Sequence, residues 1–183
     1  MAANWPGTGR QPLTFPNMAV SAQARAFAVQ RHGAQYSDEP YVVHLDAVVR
    51  LLKEHGIDDE SVLAAAFLHD TVEDTPVTMQ EIIEQFGDEV AELVYWLSDA
   101  ETRNRKSRMK MVTWRLALAP WNAKLIKLAD IIDNTRNIAE HDPDFAPVFM
   151  REKRAVLAAM VQIEGDKITN HALYQQAAAH GVT

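Results

Sequence analysis

The chain has 183 residues, of which 48% are hydrophobic, with seven glycines and eight prolines, a composition typical of one globular domain and not of a disordered chain. The net charge of −7 at pH 7 argues against general nucleic-acid binding, and no apolar run reaches the roughly 18 residues that a membrane span requires. Cysteine is absent, so disulfides are excluded and any metal ion must be bound by histidines and carboxylates.

The first residues, Met1 to Pro16, are expected to form an irregular arm, with residues 17–183 as the domain. The arm contains Trp5, prolines and glycines, and it lacks the apolar core of a signal peptide. Without such a signal, the expected location is the cytoplasm.

Residues 17–183 have helical periodicity in nearly every segment and almost none of the period-two alternation that strands require. Gly56 follows one expected helix, and Thr78 with Glu81 forms a capping box for another. The expected helices cover residues 17 or 21–32, 41–55, 60–73, 78–87, 88–97, 101–119, 121–138, 146–163 and 166–180. The pattern therefore predicts an all-α fold, a single helical bundle of about eight or nine helices.

A His-Asp pair ends one of these helices. His69 and Asp70 directly follow the apolar segment 62–68, where an imidazole and a carboxylate are costly to bury unless a positive charge lies between them. Glu73 and Asp74 follow one helical turn later, on the same face. This spacing predicts a metal site with catalytic carboxylates beside it, which is the chemistry of a hydrolase.

Two further residues complete the predicted metal site. His44 lies early in the second helix, and Asp130 lies in an apolar helix, so that three helices would supply two imidazoles and two carboxylates. This ligand set suits a single Mn²⁺, Fe²⁺ or Zn²⁺ with positions open for water and substrate. Each residue alone also has an ordinary interpretation, because Asp130 can pair with Lys127 and a lone histidine is commonly a satisfied polar group.

The order of these ligands resembles that of the HD-domain phosphohydrolases. Five segments more narrowly resemble the hydrolase domain of the stringent-response enzymes that make and degrade the alarmone (p)ppGpp. They are residues 32–35, 39–44, 68–75, 86–87 and 124–130, together with Asn134 and Arg136. The resemblance covers roughly residues 18–165 and, without a synthetase segment, is strongest to the small stand-alone alarmone hydrolases.

The resemblance implies an activity and a set of roles. It implies hydrolysis of the 3′-pyrophosphate of the nucleotide, releasing pyrophosphate through a metal-bound hydroxide, with Mn²⁺ as the expected ion. Glu73 and Asp74 would be catalytic, Asn134 would contact the nucleoside, and Arg105 would contact the phosphates. Asn134 and Arg105 are otherwise ordinary helix-surface groups.

The loop before the second helix departs from the family pattern. The family has a basic pair there, whereas this chain has Tyr36, followed by Ser37 and the acidic Asp38. Tyr36 and Ser37 are predicted substrate contacts, although Tyr36 either stacks on a base or packs within the loop. The predicted substrate is therefore (p)ppGpp or its adenine analogue.

Two other functions remain open from the sequence. One is an HD-family nucleotide phosphomonoesterase, which would release orthophosphate, and the other is a non-catalytic nucleotide-sensing module. Trp96, Trp114 and Trp121 fall at apolar-face positions and are interpreted as core or interface residues. Apolar residues in the last helices would also permit a homo-oligomer.

Overall fold

The computed structural model describes residues 18–33, 41–98 and 105–179. Within these ranges all regular secondary structure is helical, which confirms the predicted all-α fold. The helices are α1 (Val20–His32), α2 (Val42–Glu54), α3 (Glu60–Leu68), α4 (Thr71–Asp74), α5 (Met79–Leu97), α6 (Arg105–Leu118), α7 (Trp121–His141), α8 (Ala146–Glu164), α9 (Asp166–Thr169) and α10 (Ala172–Ala179).

Several predicted helix boundaries were wrong. The helix expected over residues 60–73 ends at Leu68, and a new short helix begins after Asp70, whose backbone (φ −102°, ψ −1°) leaves the helical geometry. The break expected at Gly87 is present, because the backbone of Gly87 (φ 83°, ψ 172°) is not helical and α5 consists of two helical segments on either side of it. The last expected helix is divided into α9 and α10.

Helix α3 lies at the centre of the core. Every residue from Val62 to Leu68 is buried, and the helix contacts α1, α2, α5 and α7. A helix enclosed on all sides is expected to be apolar around its whole circumference, as this one is. Asp59 caps its first turn by accepting a hydrogen bond from the Val62 N–H at 3.0 Å. The helix therefore delivers His69, the residue after its last turn, into the protein interior.

Helices α6, α7 and α8 form a second layer. Helix α7 turns back after α6 and is antiparallel to it. Helix α8 is antiparallel to α7 as well, because Lys124 near the start of α7 pairs with Glu164 at the end of α8. Helices α6 and α8 therefore run in the same direction, and Arg105 at the start of α6 pairs with Glu152 in the first half of α8. None of the described helices is long and apolar enough to cross a membrane.

Candidate metal centre

Three of the four predicted ligands converge between α2, α3 and α7. One donor atom each from His44, His69 and Asp130 lies within 4.8 Å of the other two. Asp130 Oδ1 is 3.3 Å from His44 Nε2 and 3.6 Å from His69 Nε2, and the two Nε2 atoms are 3.4 Å apart. His69 and Asp130 are buried and His44 is nearly so.

The outer nitrogen of each imidazole already has an acceptor. His44 Nδ1 lies 2.8 Å from Asp133 Oδ2, and His69 Nδ1 lies 2.8 Å from the Ala66 carbonyl oxygen. Each Nδ1–H therefore donates outward, as in metal-binding histidines, and the neutral Nε2 atoms present lone pairs to each other and to Asp130. Two facing lone pairs and a carboxylate repel one another without a cation between them, so this donor set fits a divalent metal ion.

The histidines and carboxylates of the cluster shift one another's pKa values toward the charged forms. Burial opposes ionisation of Asp130, but Lys127 and the two histidines outweigh it and hold the pKa of that carboxyl well below its usual range. Burial likewise opposes the charged form of His44, yet its hydrogen bonds to Asp130 and Asp133 raise its pKa to about 9. The same carboxylates that raise the pKa of His44 also favour a divalent cation between the two imidazoles.

Asp130 has a second set of partners on its other side. Lys127 Nζ lies 2.7 Å from Asp130 Oδ2, which leaves Oδ1 directed toward the two imidazoles. The Asn134 amide donates to Oδ1 at 2.6 Å. Asn134 is thus placed one helical turn from Asp130, as its predicted role at the substrate requires, although its amide is here engaged with the carboxylate.

Asp70, the fourth predicted ligand, lies at the edge of the cluster. Its Oδ2 is 3.1 Å from His69 Nε2 and accepts a hydrogen bond from the Tyr41 hydroxyl. Burial raises the pKa of Asp70, but the neighbouring His69 has the larger combined effect and lowers it. Asp70 lies outside the three-residue group, and its role as a ligand stays a prediction.

The predicted catalytic pair lies on α4, which begins directly after Asp70. Glu73 and Asp74 are exposed, and both backbone N–H groups donate to the Asp70 carbonyl, at 3.1 and 2.9 Å. Partial burial, followed by the charge of Asp70, raises the pKa of Asp74. The broken helix therefore still holds both carboxylates one turn beyond Asp70, and their catalytic role stays a prediction.

A small cavity of about 160 Å³ opens beside Asp130. Its wall includes Lys127, Asn134 and the buried Lys153, and burial followed by the nearby Arg154 lowers the pKa of Lys153 to about 8. The two lysines face two carboxylates, Asp130 and Glu152, and the rest of the wall is mostly apolar. Lys153 did not emerge from the sequence, where it is one of several basic residues in its helix.

The remaining predicted substrate contacts have different outcomes. Tyr36 and Ser37 lie outside the described residues. Arg105 lies on the outer side of α6, where its guanidinium bonds Glu152 at 3.0 and 2.7 Å and stacks over the Phe145 ring. A phosphate contact by Arg105 would have to compete with Glu152, and it stays a prediction.

Sequence reasoning missed two residues that support the ligands. Asp133 orients His44, and the Tyr41 hydroxyl bonds Asp70. Asp133 lies three residues after Asp130 and thus on nearly the same helix face, which is a signal that the sequence does offer. Tyr41 belongs to a motif noted in the sequence, but the motif does not reveal which group its hydroxyl meets.

Comparison with known proteins confirms the resemblance. A family model described as HD domain matches residues 21–162. The chain is 37% identical over 131 residues to the guanosine-3′,5′-bis(diphosphate) 3′-pyrophosphohydrolase MESH1 of Xenopus tropicalis, covering 69% of this chain and 73% of that protein. It is also 37% identical over 150 residues to the enzyme of that activity from Aquifex aeolicus, covering 79% of this chain but only 20% of the longer relative.

A solved structure shares the architecture. It is a metazoan ortholog of SpoT that hydrolyzes ppGpp and plays a role in starvation responses. The two structures align with a TM-score of 0.75 at 28% identity, over 90% of this chain and 94% of the other.

Proposed function

The chain belongs to the HD domain family, and we propose that it is a metal-dependent hydrolase that removes the 3′-pyrophosphate of an alarmone nucleotide. The observation that carries the proposal is the convergence of His44, His69 and Asp130, with both Nε2 lone pairs directed at one carboxylate oxygen. The MESH1 relatives of Xenopus tropicalis and Homo sapiens, which match about two thirds of this chain, are named for that activity, which supports the choice of substrate.

The proposed metal ligands are His44, His69, Asp130 and Asp70, and the proposed ion is Mn²⁺. Two imidazoles with carboxylates suit a borderline to hard divalent ion. When bound, such an ion lowers the pKa of a coordinated water and polarises a phosphoryl oxygen. Asp133 and the Ala66 carbonyl keep both imidazoles in the tautomer that binds metal through Nε2.

Glu73 and Asp74 are proposed to move the protons of the reaction. Water attacks the phosphorus attached to the 3′ oxygen, a new P–O bond forms, and the bond from phosphorus to the ribose oxygen breaks. The attacking water loses a proton and the departing 3′ oxygen needs one, so one carboxylate accepts a proton while the other donates one. The products are pyrophosphate and a nucleoside diphosphate or triphosphate with a free 3′ hydroxyl.

The substrate phosphates are proposed to lie against the cavity beside Asp130. Lys127 and Lys153 supply positive charge there, and Asn134 supplies an amide one turn from the carboxylate. Lysines beside a bound divalent ion would attract a polyanionic nucleotide despite the acidic net charge of the chain. Tyr36, Ser37 and Arg105 are proposed as further contacts, and Tyr36 in place of a basic residue makes the adenine analogue a substrate to test beside ppGpp.

The two alternative functions are less favoured. A phosphomonoesterase would use the same metal centre, but relatives such as those of Xenopus tropicalis and Aquifex aeolicus are named for pyrophosphate removal. A sensing module would have no need for a carboxylate pair directly after the ligands, and this chain has Glu73 and Asp74 there.

Turnover of ppGpp and ppApp, side by side, tests the proposal. The purified chain is assayed with Mn²⁺ or with EDTA, and the nucleotide products, pyrophosphate and orthophosphate are resolved. Release of pyrophosphate with Mn²⁺ and its loss with EDTA are expected for at least one substrate. Orthophosphate alone, or no product from protein shown to contain metal, would reject the alarmone assignment.

A further inference from the structure

A groove of about 1020 Å³ runs between the outer sides of α6 and α8, away from the metal ligands. Its floor includes the small residues Ala117, Ala155 and Ala159, and Trp114 stands at its edge. The sequence placed Trp114 in the core or at an interface, and its side chain is 70% exposed, so the core is excluded. We call this surface, with its rim, the α6–α8 groove.

The α6–α8 groove exposes a sizeable apolar surface. Trp114, Leu118 and Ile163 are 70%, 42% and 55% exposed, respectively. These fractions correspond to roughly 300 Å² of apolar side-chain surface, about the size of the largest apolar patch on a typical monomer, which is often functional. A stable interface buries about 800 Å² per partner, so these three side chains supply about a third of one.

Charge is distributed unevenly along the α6–α8 groove. Because α6 and α8 run in the same direction, their first halves meet at one end, where Arg105, Lys110, Arg151 and Glu152 line the groove. At the other end the lining is formed by Trp114, Leu118 and Ile163, with the alanine floor between them. One end is therefore basic and the other is apolar.

We infer that the α6–α8 groove binds the same surface of a second copy of this chain. A two-fold symmetric interface requires one patch to hold both the protruding and the receiving group. Trp114 protrudes, and the floor of Ala155 and Ala159 leaves room to receive the Trp114 of the partner. The two helix pairs would then complete a four-helix bundle.

The charge pattern determines how the copies lie. An antiparallel two-fold overlaps the apolar ends and leaves the Lys110 and Arg151 residues of the two copies at opposite ends. A parallel arrangement would place those like charges together, which is unfavourable. Met109 and Glu152 line both this groove and the cavity beside Asp130, so the dimer would adjoin the substrate site without covering the metal ligands.

Sedimentation velocity of the full chain between about 1 and 100 μM measures the association directly. The wild-type chain is expected to reach twice its monomer mass of 20.5 kDa. Trp114→Glu and Ile163→Lys place charges in the apolar end, and both should return the protein to the monomer mass. Ile83→Glu, a matched change at an exposed residue on α5, should leave the dimer intact.

Circular dichroism confirms that each variant is folded, and the readout is independent of any hydrolase activity. A wild-type chain that stays monomeric at about 100 μM would overturn the inference. So would a dimer that survives both groove variants. If a chain lacking residues 1–16 dimerises and the full chain does not, the N-terminal arm and not a second copy occupies the groove, and the inference is equally wrong.

Discussion

At the metal centre two imidazoles and a carboxylate lie inside the protein, whereas on the α6–α8 groove a tryptophan and two aliphatic side chains lie outside it. Each arrangement is unfavourable for an isolated chain, because buried polar groups need partners and exposed apolar patches need a cover. At the metal centre, Asp133, the Ala66 carbonyl and Lys127 bind the outward-facing atoms of the two imidazoles and of the carboxylate. The inward-facing atoms remain available to a cation. Among the described residues the groove has no such set of partners, and the inferred second copy would supply them.

The largest effect is expected from Glu73→Gln, which tests whether the metal centre catalyses release of pyrophosphate. Loss of a positioned proton acceptor should reduce pyrophosphate release by about 10²- to 10⁴-fold, while the metal content stays at the wild-type value. Steady-state rates with Mn²⁺ and metal analysis of the same samples measure both. Glu92→Gln, an exposed carboxylate on α5, is the control. Equal activity of the two variants would remove Glu73 from the mechanism.

Truncating one leucine in the core and one on the α6–α8 groove compares the two regions directly. Leu63→Ala removes a side chain that is 1% exposed at the centre of α3, and it should lower the free energy of unfolding by about 2–5 kcal/mol. Leu118→Ala, on the groove, should cost less than about 1 kcal/mol in the dilute monomer. Urea titrations at low protein concentration measure both. Similar losses would mean that Leu118 is covered in the monomer.

Asp133→Asn weakens the support of one ligand without touching the metal itself. The amide can present its NH₂ group to His44 Nδ1 and favour the wrong tautomer, so metal affinity should fall by about 10- to 100-fold. Competition with a fluorescent chelator measures that affinity, and excess Mn²⁺ should restore most activity. Asp46→Asn changes a carboxylate on the same helix as His44 that pairs with Arg25 on the surface, and it should leave affinity unchanged. Unaltered affinity in Asp133→Asn would show that Asp133 does not orient the ligand.

The smallest effect is expected at an ordinary surface contact. The Ser21 backbone N–H donates to Glu60 at 3.0 Å and lowers the pKa of that carboxyl. Because the folded pKa is below the unfolded one, the stabilisation is present above the unfolded pKa and is lost as the pH falls through the folded value. Glu60→Gln should therefore reduce the drop in unfolding free energy between about pH 6 and pH 3 by less than 1 kcal/mol. An increased drop in the variant would contradict this sign.

The sequence allowed prediction of the convergence of His44, His69 and Asp130 but not of most contacts that support them. His44, His69 and Asp130 were predicted because imidazoles and carboxylates are conspicuous in apolar helices, and helical periodicity assigned them to the interior. The position of Asp133 three residues after Asp130 is a local signal, but its contact with His44 joins residues 89 positions apart, and no local pattern specifies that pairing. The all-α fold followed from the same periodicity.

The exact ends of helices and the exposure of Trp114 were harder to predict from the sequence. The end of α3 at Leu68 is determined by the geometry that brings His69 and Asp70 to α2 and α7, and not by a local stop signal. Gly87 was expected to end a helix, and its non-helical backbone does break α5 into two segments. Trp114 occupies an apolar-face position that has the same spacing whether the face meets the core or another molecule.

Metal content of the wild-type chain and of His69→Ala, after EDTA treatment and equilibration with Mn²⁺, tests the central claim most directly. One Mn²⁺ per wild-type chain and almost none in the variant are expected, with pyrophosphate release from the alarmone following the bound metal. His55→Ala, which changes a histidine at the end of α2, should bind like the wild type. Equal Mn²⁺ in His69→Ala and wild type, or undiminished hydrolysis by metal-free protein, would contradict a catalytic metal centre at these residues.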